Sequence, residues 1–270
     1  MADLNAYLSR IGFEGPVRPD RATLDALHRA HALAVAYENL DVQLGRRRTP
    51  APNDAFDKIV SGRGGWCYEM NGSLGLALQM IGFDVTRMAG GVVRSLVGDS
   101  QIGNHLVLRV NLPEGPVIAD VGFGDGPLTP FDLKDHAFGD RGFDYRLEDL
   151  GEGWWRLHNH PGGGAPDFDF RAEPADEALL AERCQFLQTS ETSIFVQNLF
   201  CFRHSPAGYA VLRGRVLRHV TAQGVEEVLI DSANDLVAQL RDVFGLDVPE
   251  AASLWDAILA RHEVVMAAAT

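Results

Sequence analysis

A change of hydrophobic period at residue 83 limits what this chain can fold into more than any other feature. Up to Gly82 the apolar residues recur every three or four positions. Leu4, Tyr7, Leu8 and Ile11 form one helical stripe, with Gly12 as its stop. Leu24, Leu27, His31 and Val35 form a second, within a helix expected over 23–38. Residues 45–56, rich in Arg, Pro, Asn and Asp, read as a loop. A third helix begins at Trp66 or Cys67, carries Met70, Leu74, Leu78 and Ile81, and is capped by Gly82. From Phe83 the alternation is strand-like: "DVTRMAGGVVRSLV", "NHLVLRVNL", "PVIADVGFG", "FDYRLEDLG" and "WWRLHNH" read as short strands between Gly, Pro and Asp turns. Their spacing suits a small antiparallel sheet or barrel. "HPGGGAPDFDF" reads as a loop or boundary. A helix over 174–187 follows, then strands in "FCFRHS", "GYAVLRGRVLRHVT" and "VEEVLID", then helices over 231–244 and 251–266. The plan is α+β: a helical unit over 1–82, a β unit over 83–188 and a smaller α/β unit over 189–270.

Composition narrows the function classes. The 270 residues, 46% hydrophobic and 23% charged, are enough for a sizeable core. A net charge of −13 argues against long-range attraction to nucleic acid or an anionic membrane. The one basic cluster, residues 46–48, reads as a solvated loop, so an anionic substrate needs a local basic pocket against a repulsive field. No apolar run approaches the ~20 residues of a membrane helix. The N-terminus lacks the pattern of a signal peptide, and three cysteines make no disulfide framework. A reducing, cytoplasmic compartment is expected.

One of those cysteines lies in "RGGWCYEMNG", residues 63–72, where a glycine-rich turn meets a helix start. Unpaired amides and the helix dipole at such a terminus stabilise a thiolate and offer donors to an oxyanion. A glycine-flanked cysteine is otherwise a buried thiol. A nucleophilic thiol needs a base, and the base an orienting group. "HLVLRVNLPEGPVIAD" reads as a hairpin, and a four-residue loop at 111–114 places His105 opposite Asp120 on one face. Spacing alone does not bring Cys67 to them, and Asp120 is equally a turn-capping residue. "HNH" at residues 158–160 has no partner set of matching spacing, so no metal is expected. His28 and His31 lie in a helix without a partner motif, and Cys184 and Cys201 read as core thiols. Phosphate-loop and dinucleotide fingerprints are absent.

At these residues the chain resembles the arylamine N-acetyltransferase family. "RGGWCYEMNG" resembles its nucleophile motif, "HLVLRV" its histidine strand and "ADVGFG" its aspartate strand. "YENLD" at residues 37–41 is similar to the family's Phe-Glu-Asn-Leu motif, with Tyr37 in place of Phe, and "TSIFVQNLFC" resembles the start of its third domain. The resemblance implies a cysteine-protease/transglutaminase-like core, with a helical domain, a β-barrel domain and a C-terminal α/β lid, of the bacterial type. It implies a Cys67–His105–Asp120 triad and ping-pong transfer of acetyl from acetyl-CoA, through an acetyl-cysteine, to arylamines, arylhydrazines or hydrazides. Acetyl-CoA is then a cosubstrate, and no permanently bound cofactor is expected. It further implies a supporting Glu38–Arg63 ion pair and aromatic acceptor contacts from Phe123 and Phe195. Asp125, just past "GFG", is expected to disfavour carboxylate-bearing arylamines. The chain is expected to be a monomer or homodimer. The alternative activity is a transglutaminase-like thiol amide hydrolase using the same three residues.

Overall fold

The computed structural model describes residues 2–268. The helical part contains α1 (Leu4–Arg10), α2 (Arg21–Ala34), strand β1 (Tyr37–Glu38), α3 (Leu40–Gln43), α4 (Pro52–Val60) and α5 (Cys67–Ile81). There follow β2 (Asp84–Val92), α6 (Arg94–Val97), β3 (His105–Leu112), β4 (Gly115–Ala119), β5 (Phe131–Asp132), β6 (His136–Asp140), β7 (Phe143–Gly151), β8 (Trp154–His158) and β9 (Asp167–Arg171). The chain continues through α7 (Glu177–Thr189), α8 (Ile194–Gln197), β10 (Phe200–Ser205), β11 (Gly208–Arg213), β12 (Val216–Thr221), β13 (Gly224–Leu229), α9 (Ala233–Asp242) and α10 (Trp255–Ala268).

Local chemistry accounts for the helix ends. Asp3 and Asp20 cap α1 and α2 by accepting backbone amides, and Gly82 closes α5 in the left-handed conformation at φ 106°. Two expectations fail here. The second helix stops at Ala34 rather than 38, because Tyr37 and Glu38 pair with Phe202 and Cys201 of β10; tertiary pairing overrides helical periodicity. The stretch 45–56 is not all loop. Pro52 occupies the first turn of α4, and Ala55, Phe56 and Ile59 are buried on one stripe.

The larger sheet has eight antiparallel strands in the order β5-β4-β3-β2-β9-β8-β7-β6. It curls until Phe131 of β5 and Phe138 of β6 stack at 5.1 Å, although no ladder joins those two edges among the described residues. It is thus a curled, open sheet rather than a hydrogen-bonded barrel. The supposed loop "HPGGGAPDFDF" ends in β9, which lies centrally between β2 and β8. Phe168 and Phe170 are buried there, and the buried carboxylate of Asp169 is held by Arg94 at 2.9 Å and Arg156 at 2.7 Å. The second sheet runs β1-β10-β11-β12-β13. Through β1 the N-terminal segment contributes a strand to the C-terminal one.

The main core joins Met70, Leu74, Ala77 and Leu78 of α5 to Leu106, Leu108 and Val110 of β3. Each such side chain contributes roughly 1.5–3 kcal/mol on burial. This contact fixes α5, whose first residue is Cys67, against β3, whose first residue is His105. None of the described helices is long and apolar enough to cross a membrane.

Candidate active site

Cys67 is the first residue of α5 and is buried. Glu69 and Met70 donate their amides to the Trp66 carbonyl, whereas the Cys67 and Tyr68 amides have no acceptor among the described residues. Two glycines permit this packing. A Cβ on Gly65 would stand 2.5 Å from Cβ of Glu69, and one on Gly122 would stand 2.8 Å from Cα of Cys67. A Cβ on Gly64 would stand 2.1 Å from the Ala36 carbonyl oxygen, so the neighbouring backbone passes close there, and Gly65 is bridged to Tyr37.

His105 and Asp120 meet, but not by the expected register. Leu112 pairs with Gly115, so the hairpin loop has two residues rather than four. The loop remains even, which preserves the parity, but extending the ladder sets Asp120 beside Val107 instead of His105. The two side chains meet diagonally: Nε2 of His105 lies 2.7 Å from Oδ2 of Asp120. That bond leaves Nδ1 free of Asp120; Sγ of Cys67 lies 3.8 Å from the carbonyl of Asn104, the residue before His105, and the cysteine acts on the buried imidazole. Burial alone would lower the His105 pKa, but the charge and hydrogen bond of Asp120, with Cys67, carry it up to about 10. Burial opposes ionisation of Asp120, but His105, Asn71 and the Gly122 amide outweigh it and hold the pKa below the usual range.

Asn71 and His28 hold this arrangement by hydrogen bonds, and the sequence reading passed over both. Asn71, one turn along α5 from Cys67, donates to the Leu106 carbonyl at 2.6 Å and to Oδ1 of Asp120 at 2.7 Å. Its own oxygen accepts the Val121 amide at 2.9 Å. One side chain thereby ties together the segments that carry Cys67, His105 and Asp120. His28 is buried; Nδ1 donates to the Leu128 carbonyl at 2.8 Å, and Nε2 accepts the Asp120 amide at 3.1 Å. Those partners fix a neutral tautomer, and burial lowers its pKa accordingly. Asn71 stood in plain view within "RGGWCYEMNG" four residues after the cysteine. No local signal distinguishes His28 from His31, which bonds the Tyr7 hydroxyl at 2.6 Å instead.

The expected Glu38–Arg63 pair is present at 2.9 Å, inside a larger network. Lys58 lies at its centre, 2.8 Å from Glu69, 3.1 Å from Asp41 and 3.4 Å from Glu38, all buried. Glu69 also accepts the Trp66 amide at 3.3 Å, so the network reaches the residue preceding Cys67. Of the basic cluster, Arg46 pairs with Glu250 and Arg48 with Asp41, both at 2.7 Å. Aromatic rings surround the site. Phe123 lies 5.8 Å from His105 and 4.9 Å from Phe168, and Phe195 meets Trp66 edge-on at 5.3 Å. Phe195 is held through its carbonyl, which accepts from Asn39 at 2.8 Å and Gln43 at 2.6 Å.

Asp125 does not stand where it would screen acceptors. It is buried and accepts the Gly164 amide at 2.5 Å and Nδ2 of Asn159 at 3.1 Å, pinning the glycine-rich β8–β9 loop. Burial raises its pKa to about 6 despite those bonds. A folded pKa above the unfolded value means stability present at low pH and lost as pH rises through about 6. Asp125→Asn should therefore gain in melting temperature relative to wild type between pH 4 and 7. The differential is about 2–3 kcal/mol at most. Parallel shifts at every pH would refute this.

"HNH" provides no metal pair: His158 bonds Glu148 at 2.7 Å, and His160 packs among Phe143, Tyr145 and Tyr209. Among the described residues no three His, Cys, Asp or Glu side chains gather to hold a metal ion. Cys184 and Cys201 are buried, and burial pushes the Cys184 thiol up to about 12.

Comparison with known proteins agrees with this arrangement. A family model described as N-acetyltransferase matches residues 20–253. The chain is 34% identical over 258 residues to an arylamine N-acetyltransferase of Mycolicibacterium smegmatis, covering 93% of this chain and 94% of that protein. It is 31% identical to an arylamine N-acetyltransferase / N-hydroxyarylamine O-acetyltransferase of Salmonella typhimurium, over 91% of this chain and 89% of that one. The fold superposes on the Mycobacterium marinum arylamine N-acetyltransferase in complex with CoA with a TM-score of 0.84 at 31% identity, covering 96% and 98% of the two chains. A family model over most of the chain, with relatives matched over nearly the whole sequence, places this chain in the arylamine N-acetyltransferase family.

Proposed function

We propose that Cys67, His105 and Asp120 carry the family's acetyl-CoA-dependent N-acetylation through an acetyl-cysteine. The observation that supports this most directly is His105, bound to Asp120 through Nε2, with Sγ of Cys67 against the carbonyl of the preceding Asn104. The charged imidazole stabilises the Cys67 thiolate, which attacks the thioester carbonyl of acetyl-CoA. The amides of Cys67 and Tyr68 are available to the developing oxyanion. Collapse expels CoA, whose sulfur takes the imidazolium proton, and leaves acetyl on Sγ. An arylamine or hydrazide nitrogen then attacks that thioester. His105 takes the amine proton, the Cys67 thiolate departs, and the ion pair is restored. Asp120 holds the ring and its charge throughout. Phe123 and Phe195 supply apolar ring faces suited to a flat acceptor.

The test is a half-reaction. With acetyl-CoA alone, one equivalent of CoA is released and one acetyl group appears on the peptide containing Cys67. Adding an arylamine discharges it. CoA release with no adduct on Cys67 overturns the route, and acceptor-independent cleavage of amides favours the hydrolase reading. An N-hydroxyarylamine is a second acceptor to include, because the Salmonella relative also bears an O-acetyltransferase name.

The pH behaviour follows from the same geometry. With Asp120 in place, the imidazole stays charged until pH approaches about 10. Asp120→Asn removes the charge that opposes burial, so the buried imidazole is neutral at pH 7 and a Cys67 thiolate has no counter-charge there. Iodoacetamide alkylation of Cys67 at pH 7 should slow by roughly 10²-fold and its profile move to higher pH. An unchanged profile would mean that Asp120 does not set the charge state of His105.

A further inference from the structure

Between β6 and β7 the chain turns on Arg141 and Gly142, both in the left-handed region at φ 54° and 82°. Such a turn favours Asn, Asp or Gly at its first position, and an arginine backbone held there is strained. The contacts of its side chain, which is only 4% exposed, show what that place gives the arginine. Nη1 donates to the Gly208 carbonyl at 2.7 Å and to Nδ1 of His204 at 3.1 Å, both in the β10–β11 hairpin. A guanidinium has donors only, so His204 accepts as a neutral ring, and burial holds its pKa low accordingly. Nη2 donates to the Gly126 carbonyl at 3.1 Å, and Nε lies 3.3 Å from Oδ2 of Asp140.

Gly126 belongs to the segment that carries Asp120 and Phe123, and it backs onto Phe123. A Cβ at Gly126 would stand 3.4 Å from Cβ of Phe123, whose ring lies 5.8 Å from that of His105. A Cβ at Gly124 would stand 3.3 Å from the ring of Phe202 in β10. The turn itself seats on the same unit, because a Cβ at Gly142 would stand 2.6 Å from Cβ of Ala222, between β12 and β13. One buried cation thus joins the β6–β7 turn, the segment 120–128 and the β10–β11 hairpin. Asp120 is held independently of it: the amides of Asp120 and Val121 go to His28 and Asn71.

We propose that Arg141 is a positioning residue for the acceptor half of the reaction, clamping residues 123–126 to the β10–β11 hairpin and so fixing the Phe123 ring beside His105. The proposal rests on the acetyl-cysteine route and deepens it. The planar fork matters as much as the charge, since a lysine ammonium cannot reach carbonyls on both sides of the clamp in the same geometry.

The experiment uses Arg141→Gly, which suits the left-handed turn and removes only the side chain. Wild type and variant are loaded with acetyl-CoA, which counts the competent sites, and then mixed with increasing aniline in a single turnover. Loading of Cys67 should be complete at a rate within about twofold of wild type, and iodoacetamide alkylation at pH 7 equally unaffected, because His105 and Asp120 keep their partners. The aniline concentration for half-maximal discharge should rise roughly tenfold. Free guanidinium ion, far below denaturing concentrations, should recover part of that rise; no recovery counts against the clamp. A tie that serves stability alone would lower the number of sites that load and leave the discharge of loaded sites as in wild type, which overturns the proposal. An equal loss in both half-reactions, or a loss confined to loading, overturns it as well. Arg141→Lys carries the same test where the glycine variant does not fold, and a wild-type half-saturation in it is an overturning result. Wild type that never acquires acetyl on Cys67 would overturn the route itself, an outcome distinct from all of these.

Discussion

Cys67→Ala should lower acetyl transfer from acetyl-CoA to an arylamine by about 10⁴-fold or more, while the melting temperature stays within a few degrees of wild type. The two halves of this expectation have different causes. Alanine removes the only atom able to accept the acetyl group covalently, and effects at a nucleophile are of order 10⁴–10⁶. The neighbouring thiols cannot replace it. Cys184 and Cys201 are buried, and burial disfavours their thiolates. Stability changes little because alanine keeps the helix start and removes a single buried sulfur, whose contact to the Asn104 carbonyl is long, at 3.8 Å. Cys67→Ser is the sharper comparison. Its hydroxyl fits the space but is a far weaker acid than a thiol, so His105 cannot hold it as an alkoxide. Steady-state turnover and intact mass after acetyl-CoA treatment check both variants. Activity within tenfold of wild type in Cys67→Ala would mean direct transfer without a cysteine intermediate.

The helix start at Cys67 and the meeting of His105 with Asp120 were legible because each carries a strong local mark. Cys67 follows a glycine pair at a helix start, and the odd separation of His105 and Asp120 survives any even hairpin loop. The predicted loop was two residues too long, yet the two side chains still meet, because parity and not register decides the face. What remained hidden was set by distant chain. Nothing near Tyr37 announces that it will pair with Phe202, so its helical stripe was followed too far. β9 was discounted because its period-two "DFDF" follows a run of Gly and Pro, although the buried Asp169 is neutralised by Arg94 and Arg156 from elsewhere. α4 was hidden by composition: its Pro, Asn and Asp residues are turn formers by type but first-turn helix residues by position. Asp125 was misjudged for a related reason. Its closeness in sequence to Phe123 suggested the acceptor pocket, whereas its carboxylate is consumed by backbone and Asn159.

Lys58→Met should destabilise the protein by roughly 3–5 kcal/mol, the cost of stripping one partner from a buried ion cluster. For a chain of this size that is a fall of about 10 °C in melting temperature. Lys58 is the cation shared by Glu38, Asp41 and Glu69, and those carboxylates outweigh the burial that would otherwise neutralise it. Methionine fills the volume but leaves three buried acids facing chiefly Arg63, which reaches only Glu38 and Asp41. Glu69, where burial already raises the pKa, is the acid left without a cation. It must then take up a proton on folding. A folded carboxylate pKa above its unfolded value favours the variant at low pH, so the gap to wild type should be widest near pH 8 and shrink toward pH 5. Lys58→Met/Glu69→Gln should recover part of the loss, because the amide needs no counter-charge. Catalysis should suffer with stability. Glu69 holds the Trp66 amide immediately before Cys67, so a shift of its carboxylate toward solvent displaces the nucleophile's helix start. Urea unfolding at pH 5 and pH 8 checks the energetic part. A gap below about 1 kcal/mol that does not change with pH would show that Lys58 is not what keeps the three acids charged beneath the active site.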